Sequence, residues 1–385
     1  MQQHIQNITI HKFRGLQELT LSNLGQINLL VGVNNSGKTS VLEAISTYCR
    51  PLDPLEWLNT AKRREIKYTN QPIFDALKWL FPQQIDADKT DFYEGEIYIS
   101  GDGRFPLRES RTIYREITGI GEPSAIQKDW EDNLNNNNED NIYDSSFNNI
   151  KKGIELNMEV NFFNSQINLF NQEPIQELSE KFLFWENERF INKKPKTNIA
   201  LSVDTVTPFT HRIEQLQIQL LSDAIFQRFK PEVIKLLQML DEEIIDLQIL
   251  IRPHIRSILY IDHKKLGLVP LSAFGDGIRR LLFIALTLAK IKPGVLLIDE
   301  LETAIHTEAL GNSFSWLIQW CQNMNVQLFA TTHSLEAVDA MLNATKSEID
   351  LVLYRLEQKE SQTKAIRLDR NRLQRLREDL GMEVR

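Results

Sequence analysis

Residues Gly32 to Thr39 read Gly-Val-Asn-Asn-Ser-Gly-Lys-Thr, with an apolar run before them (Ile27, Leu29, Leu30, Val31) and a helix-like run after them (Val41, Leu42, Ala44, Ile45). This spacing demands a strand, a tight loop and a helix in immediate succession, which commits the chain to an α/β architecture. Glycines at both ends let the backbone curl so that successive N–H groups point inward, and the helix start adds partial positive charge. Such a loop is built for phosphate. In the Gly-x-x-x-x-Gly-Lys-Ser/Thr pattern, Gly32, Asn34, Asn35, Ser36, Gly37 and Ser40 surround the phosphates of ATP. Lys38 reaches the β and γ phosphates, and the Thr39 hydroxyl is an oxygen ligand for Mg²⁺.

With 385 residues, 42% hydrophobic and 25% charged, the chain can bury a large core as one big domain or two. It contains no apolar run of bilayer-spanning length, and Met1-Gln2-Gln3-His4 has neither the basic nor the apolar region of a signal peptide. The expectation is a cytoplasmic protein with no membrane partner. Cys49 and Cys321 are too few for a disulfide framework or a zinc site. A formal net charge of -8 excludes a uniformly basic nucleic-acid binder but leaves room for a local patch.

Along the chain, Ile8, Ile10, Leu19 and Leu21 alternate apolar with polar neighbours as half-buried strands do, with Phe13-Arg14-Gly15 between them. A hairpin is expected from Ile97 to Tyr114, turning at Gly101-Asp102-Gly103. Asn135 to Asn138 followed by Glu139, Asp140 and Asn141 reads as an exposed loop. Helical spacing from Ile213 to Ile251, with Pro231 early in a second helix, predicts a helical lobe. A second hairpin from Ile255 to Val269 follows, then a helix over 278–290, a strand over 295–298, a helix near 314–321 and a strand over 326–330. That alternation implies a largely parallel sheet with its ligand at the carboxyl ends of the strands. The expected division is 1–120 (phosphate loop and hairpins), 121–210 (an insertion with the Asn-rich loop), 211–254 (helical lobe), 255–350 (second half of the head) and 351–385 (tail).

Val295-Leu296-Leu297-Ile298-Asp299-Glu300 is an apolar strand ending in two acids. Asp299 is the candidate for the Mg²⁺ shell, and Glu300 for orienting or deprotonating the attacking water. The strand ending in Thr331-Thr332-His333 puts His333 forward either as a γ-phosphate sensor or as a cap on a helix starting at Ser334. Ser272-Ala273-Phe274-Gly275-Asp276-Gly277 opens another helix with a second anion nest, whose candidate contacts are Ser272, Gly275 and Gly277. One chain cannot use both nests on one nucleotide. A head-to-tail homodimer solves this, each second nest closing over the partner's ATP.

The order Phe13-Arg14-Gly15, phosphate loop, Ser-x-x-Gly-Asp-Gly, Asp299-Glu300 and Thr332-His333-Ser334 resembles the ABC-type ATPase heads of SMC-like and overcoming-lysogenization-defect (OLD) proteins, in particular the stand-alone AAA family ATPases. The resemblance covers residues 5–50 and 255–350. It implies a P-loop NTPase fold of ABC-ATPase type: a mixed sheet with an antiparallel β subdomain and a helical lobe. It further implies Arg14 as an α-phosphate or base contact, Ala304, Ile305 and His306 near a dimer seam, and a Q-loop glutamine among Gln71, Gln83 and Gln84. OLD proteins carry a TOPRIM nuclease domain after the ATPase, and the segment from Leu351 to Arg385 is too short for one. The expected function is therefore an ATP-hydrolysing switch subunit for a separately encoded effector, such as a TOPRIM-like or other nuclease, in prokaryotic defence or DNA maintenance. Competing readings are the nucleotide-binding subunit of a membrane transporter and an SMC-like DNA-repair ATPase. The tail arginines Arg367, Arg370, Arg372, Arg375 and Arg377 are open to two readings, DNA or partner contacts and a solvated terminal helix.

Overall fold

The computed structural model describes residues 3–64, 73–83, 93–120, 150–163, 175–186, 199–251, 257–345, 350–359 and 362–384. The chain begins with β1 (Asn7–Phe13), β2 (Leu16–Leu21) and β3 (Ile27–Val31), then α1 (Lys38–Cys49), α2 (Pro54–Lys62) and α3 (Ile73–Lys78). β4 (Glu94–Asp102), β5 (Leu107–Ile120), β6 (Ile150–Phe163), β7 (Ile175–Trp185) and β8 (Val203–Val206) follow. Next come α4 (Glu214–Phe226), α5 (Lys230–Gln238), β9 (Ile244–Leu250), β10 (Ile258–His263), β11 (Gly267–Pro270) and α6 (Asp276–Ile291). β12 (Gly294–Ile298), α7 (Thr307–Asn323), β13 (Val326–Thr331), α8 (Leu335–Ala344), β14 (Leu351–Lys359), β15 (Gln362–Asp369) and α9 (Arg370–Gln374) complete the order.

Three sheets result. The central one runs β15-β14-β3-β13-β12-β8, parallel throughout except for antiparallel β15 at its edge. Every residue of β3, β12 and β13 is buried, which is why these strands are apolar on both faces and not alternating, with Asn28 and Gln327 as buried, hydrogen-bonded exceptions. In register, Leu30 meets Thr331 and Ile298 meets both Ala330 and Val206, so the carboxyl ends of β3, β13, β12 and β8 finish at one rim. A ligand site belongs at that rim. The second sheet, β2-β1-β4-β5-β6-β7, is entirely antiparallel, and β11-β10-β9 forms a small third.

Two apolar cores flank the central sheet. One joins it to α4–α8; the other fills the space to the antiparallel sheet and holds α1–α3. Helix α1 has buried residues all round, as expected of a helix enclosed between two layers. Gln327 is buried and satisfied: it donates to the carbonyls of Ile5 and Gly25 and accepts from the Ile5 amide, stitching the N-terminal sheet to β13. Among the described residues no helix is long and apolar enough to cross a membrane.

Several expectations need correction. Residues 244–250, read as part of the helical lobe, form β9, because Ile244-Ile245-Asp246-Leu247 pairs with β10 and a short apolar run fits either period. The tail is a terminal helix only in part: β14 lies parallel to β3, with Leu351 to Tyr354 buried, β15 pairs with it, and the helical stretch from Arg370 to Asp379 follows, with Arg372 and Arg375 exposed. Three of its arginines bond within the chain. Arg367 donates to the Asn23 carbonyl, Arg370 to the Thr345 carbonyl, and Arg377 makes two 2.7 Å contacts with Asp339. β8, assigned to the insertion, is an edge strand of the central sheet. The Asn-rich segment and Ile255 lie outside the described residues, whereas Asp102-Gly103 does turn the β4–β5 hairpin, Gly103 adopting φ +146°.

Candidate functional site

The loop between β3 and α1 takes the conformation its glycines foreshadow: φ is +146° at Gly32, +65° at Asn35 and +92° at Gly37. A β-carbon on Gly32 would stand 2.5 Å from the Leu356 carbonyl oxygen of β14, so only glycine fits there. Lys38 is buried, its ammonium donating to the carbonyls of Gly32 (2.8 Å) and Val33 (2.9 Å). Burial lowers its pKa, while Asp299, Glu300 and Glu302 pull the other way.

The two halves of the sequence meet here. The Thr39 hydroxyl lies 3.2 and 3.1 Å from the two carboxylate oxygens of Asp299, across 260 positions of chain. Thr331 donates to Asp299 at 2.6 Å and accepts from the Glu300 amide at 2.8 Å, fixing the acidic turn to β13. Residues 34–40 of the loop, with Arg64, Asp299, Glu300 and His333, line one cavity of about 240 Å³. A second cavity of about 260 Å³ shares Thr39, Arg64, Asp299 and Glu300 with it and extends to Thr205 on β8 and to Thr207 and Phe209 after it. Among the described residues the buried Ser36 hydroxyl has no partner, and a phosphate oxygen is the kind of acceptor it lacks.

His333 lines the cavity, and its amide donates to Glu302 at 2.9 Å. The cap of α8 is Ser334, which accepts from the Ala337 amide, so the capping alternative for His333 does not hold. Arg14 departs from expectation. Its guanidinium grips Glu43 at 2.7 Å and the Trp79 carbonyl at 3.0 Å, and it does not line either cavity. The arginine at the cavity is Arg64, which shares Glu43 and also donates to Ser40 at 2.9 Å. Gln83 is tied to the Lys78 and Phe81 carbonyls, and Gln71 and Gln84 lie outside the described residues.

Ser272, Gly275 and Gly277 stand apart from the phosphate loop: none lines either cavity, and Ser272 and Gly275 are exposed. Gly275 caps α6, and a β-carbon on Gly277 would press to 2.8 Å from the Ala304 carbonyl oxygen. Asp276, between the glycines, pairs with Arg212 at 2.7 Å and Arg279 at 3.2 Å, with His211 3.6 Å away.

Residues outside the recognised motifs, Arg280 and Thr303, complete the site. Arg280, fully buried on α6, donates to the carbonyls of Thr207 (3.0 Å), Asp299 (2.9 Å) and Glu300 (2.6 Å). Glu300 has φ +51° and its carboxylate accepts from Thr303 at 2.9 Å. Only its burial at the rim could have singled Arg280 out, and burial is not written locally in sequence.

His211 gives a pH signature. It is fully buried, and neither ring nitrogen has a hydrogen-bond partner among the described residues. Burial, reinforced by Arg280, lowers its pKa to about 4, against the pull of Asp276. The unfolded chain therefore takes up the proton first. Stability from this group is whole above about pH 6.5 and drains as pH falls toward 4. In melting curves from pH 7.5 to 4.5, the wild type should lose Tm faster than His211→Leu below pH 6.5; parallel curves contradict this.

A family profile described as AAA ATPase domain (AAA_15) matches residues 4–338. The chain belongs to this family. As a family member it is an ATPase. A Helicobacter pylori protein named ATP/GTP phosphatase is 22% identical over 362 residues, covering 88% of this chain and 87% of that one. The DNA replication and repair protein RecF of Cytophaga hutchinsonii is 40% identical over 76 residues; these span 20% of this chain and 19% of RecF. Among solved structures, an SMC head bound to the C-terminal winged-helix domain of ScpA aligns with TM-score 0.48 at 11% identity, over 95% of this chain and 98% of that one.

Proposed function

We propose that this AAA family ATPase is a switch subunit that closes as a homodimer around ATP and reopens on hydrolysis, controlling a separately encoded effector such as a TOPRIM-like or other nuclease in prokaryotic defence or DNA maintenance. The observation that carries this reading is the division of the phosphate-binding parts: Lys38, Thr39, Asp299, Glu300 and His333 share one cavity, while the nest at Ser272, Gly275 and Gly277 lies outside it. A second molecule is the natural source of the missing wall. ATP then supplies the differential contact that separates the closed from the open state.

The residues present fit Mg²⁺. Thr39 and Asp299 offer hard oxygen donors beside each other, as this cation prefers, and when bound it offsets the charge of the β and γ phosphates. The chain's own part is positioning: the loop amides and Lys38 hold the triphosphate, Glu300 orients water or accepts its proton, and His333 borders the γ-phosphate end. The test is whether Glu300→Gln with ATP doubles in mass and whether a neighbouring nuclease responds to ATP only when Lys38 is intact. The local RecF match favours DNA maintenance as the setting, in which case DNA should raise the ATPase rate.

A further inference from the structure

Arg280 occupies the core-facing side of α6 among Leu281, Leu282 and Ile284, where leucine would cost nothing to bury. Burying an unpaired guanidinium costs several kcal/mol unless its donors are met. Here the partnered donors all end on main-chain carbonyls at the carboxyl rim: Nη1 on Thr207 as the chain leaves β8, Nη2 on Asp299 and Glu300 as it leaves β12. Nε has no partner among the described residues. The carboxylates of Glu300, Glu302 and Asp299 lie close enough to favour its charge, so it is also the fixed countercharge beneath three acids.

What this grip secures is an unfavourable backbone. Glu300 sits at φ +51°, a region that a non-glycine residue enters at a cost and keeps only when neighbours over-determine it. Its amide is held by Thr331, its carbonyl by Arg280 and its carboxylate by Thr303. We propose that Arg280 is a positioning residue for hydrolysis, holding the Glu300 turn in its left-handed conformation so that the carboxylate faces the phosphate cavity. One turn earlier on the same helix, Gly277 abuts Ala304, so the start of α6 is registered against both the catalytic turn and the loop that follows it. The inference rests on the reading of Glu300 as the group that handles water.

Arg280→Lys keeps the charge but cannot span three carbonyls. Arg280→Gln gives up the charge together with the cost of burying it, and serves the same test if the lysine variant does not fold. The measurements are kcat and KM for ATP, the ATP dissociation constant by calorimetry, and Tm. The expected result is a fall in kcat of about twentyfold or more, with the ATP dissociation constant changed less than about threefold and Tm still above the assay temperature. A kcat within about threefold of wild type overturns the proposal, and so does a loss of ATP binding in step with kcat, which marks a merely structural role. Glu300→Gln separates the two layers. Retained turnover in that variant removes the reading of Glu300 itself, whereas an inactive Glu300→Gln beside an active Arg280→Lys removes only the role given to Arg280.

Discussion

Lys38→Ala removes ATP binding and turnover, with kcat/KM falling by about a thousandfold or more. The lysine is the cation buried under the phosphate loop, held against the Gly32 and Val33 carbonyls and facing Asp299, Glu300 and Glu302. Alanine leaves those three acids facing the triphosphate without its charge, and electrostatic complementarity to the β and γ phosphates is the main lever such a site has. The loop's fold itself depends on glycine geometry and on packing against β14, so the variant should remain folded. Calorimetric titration with ATP and a phosphate-release assay check both halves of the expectation. Undiminished turnover would contradict the site.

Glu300→Gln separates binding from chemistry. The amide keeps the shape of the side chain and can still meet Thr303, but it cannot take a proton from water, so kcat should fall by about two to three orders of magnitude while ATP affinity is kept. Since hydrolysis is what reopens the proposed dimer, the variant should accumulate as a particle of twice the mass in ATP. Size-exclusion chromatography with light scattering reads this directly. A variant that stays monomeric with ATP at high protein concentration defeats the sandwich arrangement.

The phosphate loop was legible because its function and its fold are written in the same eight residues: Gly32 and Gly37 set the backbone, and Lys38 and Thr39 carry the chemistry. Asp299 and Glu300 were legible because a fully apolar strand ending in acids is a local pattern too. What was not legible depends on distant partners. Residues 351–359 become a strand because β3 offers them an edge more than 300 positions away, and Arg367, Arg370 and Arg377 then find carbonyls and Asp339 within the chain. β9 was misread because Ile244 to Leu250 is too short for period alone to decide between helix and strand. Arg14 looked like a nucleotide contact by resemblance, but Glu43, one face of α1 away, takes its guanidinium. Arg280 gave no signal at all, since an arginine in an amphipathic helix is ordinarily at the surface and its burial follows from where β8 and β12 happen to end.

The central claim is that Thr39 and Asp299, from opposite ends of the chain, act on one triphosphate. A double-mutant cycle with Thr39→Ala, Asp299→Asn and the pair, scored by kcat/KM for ATP with Mg²⁺, tests it most directly. The account predicts strong non-additivity, the pair being little worse than the weaker single variant, because each substitution dismantles the same contact. Losses that simply multiply would mean the two residues work independently, and would contradict it.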